Sequence, residues 1–400
     1  MKNFYALFFF SLIFLGGCSG QEELDELLIL TGIGIDQGDD QNVKVTFQAT
    51  NPQAQAGGES GGGGASQATS YTFESEGEDV VAAVFNANNL LSRKLFFPHI
   101  SSLVVGEDYA RENGLHEISD FLERHYEIRD SYMLFIAKET TASDILNTFP
   151  PLDNSSIQNI KRLVEVPGST IGLKDGIELE DFIRWRYGDD RDAVITGVER
   201  VTKETDSSNT ESLNEIEGNK NALRLTGLAL FDKDYLVDWL SYKDSVAWVM
   251  INGESETVKN YTVPCRDSKG TIGFLLKEMD IKAKPKIEGD QLTYMIQVRG
   301  HFNLQGMTCK IDLSTDKGVT ELQDIINTNL EEDLQTSVEN AQDLNLDYFG
   351  IKNYLFKNQP NQWEKAKDDW ESLYAQMEIT TEVDVYLESP GARVGNNEES

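Results

Sequence analysis

ISSLVVGEDYARENGLHEISDFLERHYEIRDSYMLFIA, residues 100–137, holds two short apolar runs with a helical pattern between them. Ile100 to Gly106 reads as a buried strand, and Tyr132 to Ala137 as a second continuous apolar strand. Leu115, Ile118, Leu122 and Tyr126 recur between them at helical spacing. Strand, helix and strand in that order predict a mixed sheet with helices packed on it. Upstream, Leu27 to Asp36 reads as a strand and Gln37 to Asn42 as a turn. Val43, Val45, Phe47 and Ala49 then alternate with polar residues, which completes a hairpin with a half-buried second strand. Residues 51–70, with four consecutive glycines at Gly61 to Gly64, read as a mobile loop. Glu78 to Lys94 reads as a helix with Val80, Val81, Val84, Leu90 and Leu91 inward. Further helices are expected over 141–146, 155–166 and 175–185.

A polar stretch, 201–220, separates this half from the next and reads as a linker. LRLTGLALFDKDYLVDWLS (223–241) then reads as two strands joined at Asp232-Lys233-Asp234. Strands near 256–265, 281–287 and 292–304 are expected to continue a sheet. A long helix follows over about 317–346, with Val319, Leu322, Ile326, Leu330, Leu334, Val338, Ala341 and Leu344 as its apolar stripe. Trp363, Ala366, Trp370, Leu373 and Met377 mark a last helix, and Ile379 to Leu387 alternate as a last strand. The predicted fold class is α+β, in two to three domains: 18–200, possibly subdivided, and 221–390, with a polar tail at 391–400.

The N-terminus reads as a leader rather than as part of the fold. Lys2 precedes an apolar stretch from Phe4 to Leu15, broken only by Ser11. That run is short of the roughly 20 residues a spanning helix needs. Leu15-Gly16-Gly17-Cys18 follows, and it resembles the bacterial lipobox. The expectation is cleavage after Gly17, which makes 1–17 a signal peptide. The Cys18 thiol then takes a diacylglyceryl group, and acyl chains alone hold the protein on the bilayer.

The chain carries 35 basic and 68 acidic side chains, a formal charge of −33. No basic face for nucleic acid can be assembled cheaply from that balance. The body is expected to stand off anionic lipid and to depend on its anchor. Cys265 and Cys309 could pair in an oxidising exterior, or both could be free buried thiols.

Other chemistry finds little support. Gly32-Ile33-Gly34 leads into a strand rather than a helix, against a dinucleotide site. Gly58-Glu59-Ser60-Gly61-Gly62 lies in low-complexity sequence, against a serine nucleophile. His99, His116, His125 and His301 share no metal-ligand spacing. Asp36 to Asp40 and Asp189 to Asp192 lack the calcium-loop pattern. Trp185, Trp239, Trp248, Trp363 and Trp370 could line a groove but read first as core. No catalytic residue, cofactor or metal site is expected.

ELDELLILTGIGID, just past Cys18, resembles the opening of the Ger(x)C family, the C subunits of spore germinant receptors in Gram-positive spore formers. The similarity continues through residues 92–111, 117–146 and 156–165, then through 223–241, the TVPC strand ending at Cys265, and Phe349-Gly350. The glycines at 57–64 depart from the family pattern as a loop elaboration, and His125-Tyr126 stands where a charged pair is usual. The resemblance implies a non-enzymatic lipoprotein subunit on the outer face of the spore inner membrane. It implies A and B receptor subunits as partners, in a complex that senses small germinants and leads to release of ions and dipicolinic acid. It implies mixed α/β structure in two or three domains. Direct contact with germinant is no part of that implication. The competing expectation is a solute-binding lipoprotein of a membrane transporter, for which a deep interdomain cleft lined by tryptophans would speak.

Overall fold

The computed structural model describes residues 26–51, 68–124, 132–165, 176–188, 190–201, 222–253, 260–266 and 269–389. The fold is α+β, with two sheets and helices packed on both. The first sheet is nine-stranded, in the order β3-β2-β1-β5-β6-β7-β8-β9, with β4 paired to β1. These strands are β1 (Leu27–Gln37), β2 (Val43–Thr50), β3 (Ser70–Gly77), β4 (Lys94–Phe96), β5 (Ser102–Gly106), β6 (Met133–Ala137), β7 (Val194–Arg200), β8 (Leu223–Asp232) and β9 (Tyr235–Trp239). β1, β5, β6 and β7 run parallel, and β2, β3, β8 and β9 are antiparallel to their neighbours. β5 and β6 are buried at every position, which explains their unbroken apolar sequence: helices cover both faces of a central parallel strand.

The helices of this half are α1 (Val80–Ala87), α2 (Glu107–Glu112), α3 (His116–Arg124), α4 (Ala142–Asn147), α5 (Ser156–Glu165) and α6 (Leu179–Gly188). α1 is shorter than its apolar pattern suggested. Its inward stripe is Val80, Ala83, Val84 and Ala87, while Val81 and Leu90 face solvent. Alanines, easily overlooked as core residues, fill the inner face there. β3, β4, β7 and α2 had no counterpart in the sequence reading. β3 is half-exposed along most of its length, and β4 and α2 are very short, so their patterns are weak.

The hairpin at 223–241 forms as expected, but it belongs to the first sheet. β8 pairs with β7 across the polar stretch, with Ile195 opposite Ala229. The later strands build a separate sheet instead of continuing this one. It has the order β10-β11-β12-β13, from β10 (Asn260–Pro264), β11 (Thr271–Glu288), β12 (Gln291–Met307) and β13 (Glu378–Ser389). β13 runs parallel to β12, because the long helix returns the chain to the same end. That helix, α8 (Asp316–Asp343), buries Leu322, Ile326, Leu330, Leu334, Val338 and Ala341, whereas Leu344 lies beyond its end and is exposed. α7 (Tyr242–Ile251) contacts both β8 and β11 and so joins the two halves. The expected last helix, from Trp363 to Met377, is two pieces with a 3-10 turn between, and a helix the sequence did not announce precedes them: α9 (Ile351–Asn358), then α10 (Pro360–Ala366) and α11 (Trp370–Ala375). Cys265 and Cys309 are disulfide-bonded across the end of the second sheet, with 5.8 Å between their Cα atoms.

Candidate functional site

A buried polar cluster sits where the two halves meet. Arg191 and Asp192 lie between α6 and β7, and Asp347 lies between α8 and α9. The Asp347 amide donates to Asp192 Oδ2 at 2.6 Å, and the Asp192 amide donates to the Asp347 carbonyl at 3.1 Å. The Asp347 carboxylate accepts from the amides of Ile351 at 2.8 Å and Lys352 at 2.7 Å, capping the start of α9. Burial raises its pKa to about 7, the neighbouring Asp192 pushes the same way, and the backbone amides and Arg191 oppose them. Arg191 lies over the Trp185 ring, 5.6 Å from its centroid, and donates to Asn252 Oδ1. Burial lowers the guanidinium pKa, while Asp347 and Asp190 oppose that shift. Gly350 turns the chain with φ 77°, and a Cβ there would lie 3.3 Å from Arg191 Nε. Trp248 Nε1 donates to the Tyr348 carbonyl at 2.9 Å, which ties α7 to the same loop.

Beside this cluster is a cleft of about 660 Å³ between the halves, walled by Trp185, Trp370 and Tyr374 and floored by Asp192 and Asp347. Its floor groups are bound largely to one another and to backbone. The arrangement suits a rigid joint, and it places no nucleophile against a general base.

A second buried carboxylate explains the Gly-Ile-Gly-Ile-Asp stretch. Asp36, at the end of β1, accepts from the amides of Ala142 at 2.7 Å and Ser143 at 2.8 Å at the start of α4. Burial raises its pKa to about 6, against the pull of those two amides. A Cβ on Gly32 would meet Ile157 of α5 at 2.4 Å, and one on Gly34 would meet Ala142 at 3.2 Å. The two glycines clear the sheet face on which α4 and α5 lie, and the aspartate fastens α4 to it.

These residues lie within two stretches of the chain that match known families. Residues 20–200 match the family described as spore germination protein N-terminal domain. Residues 226–391 match the one described as spore germination B3/GerAC like, C-terminal. The chain belongs to the Ger(x)C family. Three Bacillus subtilis (strain 168) proteins align along nearly its whole length. Spore germination protein KC is 27% identical over 97% of this chain and 95% of its own. Putative spore germination protein YfkR is 23% identical over 95% and 94%. Spore germination protein B3 is 20% identical over 95% of each. A solved structure, described as the crystal structure of the GerBC protein, shares the fold with a TM-score of 0.55 at 18% identity, over 89% of this chain and 97% of that one.

In this Ger(x)C chain, Cys18 and the whole leader lie outside the described residues, as do His125 and the glycine-rich 57–64. His116 is exposed and sits 3.2 Å from the Tyr187 hydroxyl, and His301 lies beside Tyr386. Among the described residues, no group of three or more His, Cys, Asp and Glu side chains could hold a metal ion. Trp185, Trp248 and Trp363 are buried in the core, and Trp239 and Trp370 pack against it. The sequence reading missed Arg191 and Asp347. Phe349-Gly350 pointed to that loop, but an aspartate three residues before a glycine does not announce which helix it caps.

Proposed function

We propose that this chain is the lipid-anchored C subunit of a nutrient germinant receptor and acts in germination without catalysing a reaction. The observation that carries the reading is the pair of successive family matches, which leave little of the chain outside them. The leader supports the anchor: Lys2, the apolar run from Phe4 to Leu15, and Gly16-Gly17-Cys18 supply what lipoprotein processing needs. The Cys265–Cys309 disulfide is in keeping with export to an oxidising compartment. On this reading the folded body faces outward from the spore inner membrane, beside the A and B subunits.

Deleting the gene should abolish germination with one class of nutrient and leave vegetative growth unchanged. Germination intact with every nutrient, in a strain stripped of paralogues, would count against the assignment. Cys18→Ala should release the protein from the membrane fraction. A Cys18→Ala protein that still fractionates with membrane would sink the anchor.

The cleft between Trp185 and Trp370 favours a second reading, a solute-binding lipoprotein of a transporter. Its floor groups are already engaged with one another, so we prefer the first. Micromolar binding of a small nutrient to the purified chain, detected by calorimetry, would reverse that preference.

A further inference from the structure

Where β1 pairs with β2, the register slips at Thr31: Leu30 stands opposite Ala49 and Gly32 opposite Gln48. A bulge of this kind re-aims a side chain, and Thr31 lines a small pocket beside α5. The pocket holds about 250 Å³, and Thr50, Ser70, Ser101, Ser155 and Lys161 share its wall. That is less than the roughly 300–1,000 Å³ of sites that enclose a drug-sized ligand. Lys161 is the one charged side chain in the wall, in a chain with 68 acidic residues. Its ion pair with Glu165 is long, 3.9 Å, and solvent-exposed, so it holds the ammonium weakly. The hydroxyl protons here are engaged within the protein. Thr31 donates to the Gln48 carbonyl at 3.2 Å, Ser101 to the Thr31 carbonyl at 3.3 Å, and Thr69 to the Asn154 carbonyl. Each hydroxyl oxygen keeps lone pairs for an incoming donor. The pocket therefore suits a zwitterion, with its ammonium on the hydroxyl oxygens and an anionic oxygen on Lys161.

Topology fixes where the pocket lies. Thr31 is four residues past Leu27, about 13 Å along a strand. β2 runs opposite to β1, so its last residue, Thr50, returns to the Leu27 end and pairs there with Ser70. The Ser101 amide donates to the Thr31 carbonyl at 3.0 Å, which brings the start of β5 to the same place. Asn154 is held there by Thr69. Two residues before Asn154 is Leu152, 89% exposed, more than any other large apolar side chain among the described residues. Pro150 and Pro151 precede it, and their fixed φ stiffens the loop that presents it. Leu27 is nine residues past Cys18, a reach of about 30 Å at full extension. A lipid on Cys18 therefore tethers the body by the end that carries the pocket and Leu152.

We infer that this pocket, with Leu152 beside it, is where the folded body meets the bilayer. Lys161 takes the phosphate of an aminophospholipid headgroup, the hydroxyl oxygens take its ammonium, and Leu152 enters the acyl boundary. The tether and the exposed leucine favour a headgroup in the bilayer over a free zwitterion. The inference rests on the lipid-anchor reading above and narrows the expectation that the body stands off: the acidic remainder stands off, and this corner touches.

The test uses the full lipidated chain in vesicles of phosphatidylethanolamine and phosphatidylglycerol with bromine on the acyl chains. Cys265 and Cys309 are bonded, and the Cys18 thiol is alkylated in this reading, so one added cysteine is the single labelling site. Leu152→Cys receives an environment-sensitive fluorophore. Phe85→Cys is the control, because α1 packs on Gly77, which lies with Val43 and Gln37 at the opposite end of the sheet. Both positions are exposed, so each variant should fold. The expected result is severalfold stronger quenching at 152 than at 85. Quenching at 152 should fall at least twofold when phosphatidylcholine, whose headgroup nitrogen has no hydrogen to donate, replaces phosphatidylethanolamine. It should fall likewise with Lys161→Gln and be kept with Lys161→Arg. Equal quenching at 152 and 85, in protein that floats with the vesicles, overturns the inference and leaves the anchor intact. Quenching at 152 that ignores either the change of lipid or Lys161→Gln overturns the headgroup site. Protein that fails to float overturns the anchor and this inference with it, and flotation tells the failures apart.

Discussion

At the scale of single residues, two positions separate local preference from packing. Gly318 is the third residue of α8, where intrinsic helix propensity favours alanine by about 1 kcal/mol. A Cβ there would lie 1.9 Å from the Asp312 carbonyl oxygen, which is backbone and cannot swing aside. Overpacking of that kind costs about 1–3 kcal/mol, so sterics win. Gly318→Ala should lower the urea midpoint despite its better propensity. The other position is Asp347. Its folded pKa, about 7, lies above the ordinary 3.8. A carboxyl shifted upward binds more protons folded than unfolded. Its contribution to stability is therefore full below pH 4 and lost as pH rises toward 7. At 1.36 kcal/mol per unit the loss is on the order of 4 kcal/mol. Asp347→Asn stays neutral throughout. Its unfolding free energy relative to wild type should rise between pH 4 and pH 8, measured by urea titration at each pH. A difference that stays flat with pH would show that the carboxyl titrates normally.

At the scale of elements, the second sheet shows how an edge strand is closed. β13 is the outer strand, and alternate amides along it point away from β12. α8 meets them with Gln323, Asn327 and Glu331. Their side-chain oxygens accept from Leu387 at 3.2 Å, Val385 at 3.0 Å and Val383 at 3.2 Å. The fit is one of repeat lengths. Four helical residues advance about 6 Å and two strand residues about 6.6 Å, so one donor meets one acceptor at each step. An uncovered edge of this length would invite pairing with another chain. Replacing all three side chains with alanine should speed hydrogen exchange at Val383, Val385 and Leu387 and promote self-association. Asn327→Ala alone should cost about 1–3 kcal/mol, the cost of leaving a buried amide without a partner. Unchanged exchange at those amides in the triple variant would show that the helix does not close this edge.

At the scale of the whole molecule, the family matches and the folded units divide differently. The N-terminal match ends at residue 200, at the last residue of β7, before the β8 strand that completes its sheet. A chain ending at 200 leaves β7 without β8 and removes the buried Leu228, Ala229, Leu230 and Phe231. It should aggregate more than a chain ending at 240, as seen by size-exclusion chromatography. Equal behaviour would place the boundary at 200 after all. The disulfide closes a 44-residue separation between Cys265 and Cys309. Chain-entropy arithmetic gives about 4 kcal/mol for a loop of that length. Cys265→Ser/Cys309→Ser should lose stability on that scale in urea, and reduction of the wild type should reproduce the loss.

The amino-acid sequence by itself determined several strands and helices whose burial is one-sided or complete, β5, β6, β8, β9, α8 and β13 among them, though not the equally buried start of β7. In these, hydrophobic periodicity records the face that meets the core. It also determined the family, through motifs such as Gly-Ile-Gly-Ile-Asp, though not why those residues are there. Tertiary structure alone decided that β8 and β9 join the first sheet, that Cys265 and Cys309 meet, and that Asp347 caps α9 beside Arg191. Each of these is a contact between segments far apart in the chain. Periodicity reports how a residue meets its immediate surroundings, and it carries no information about which distant segment supplies them.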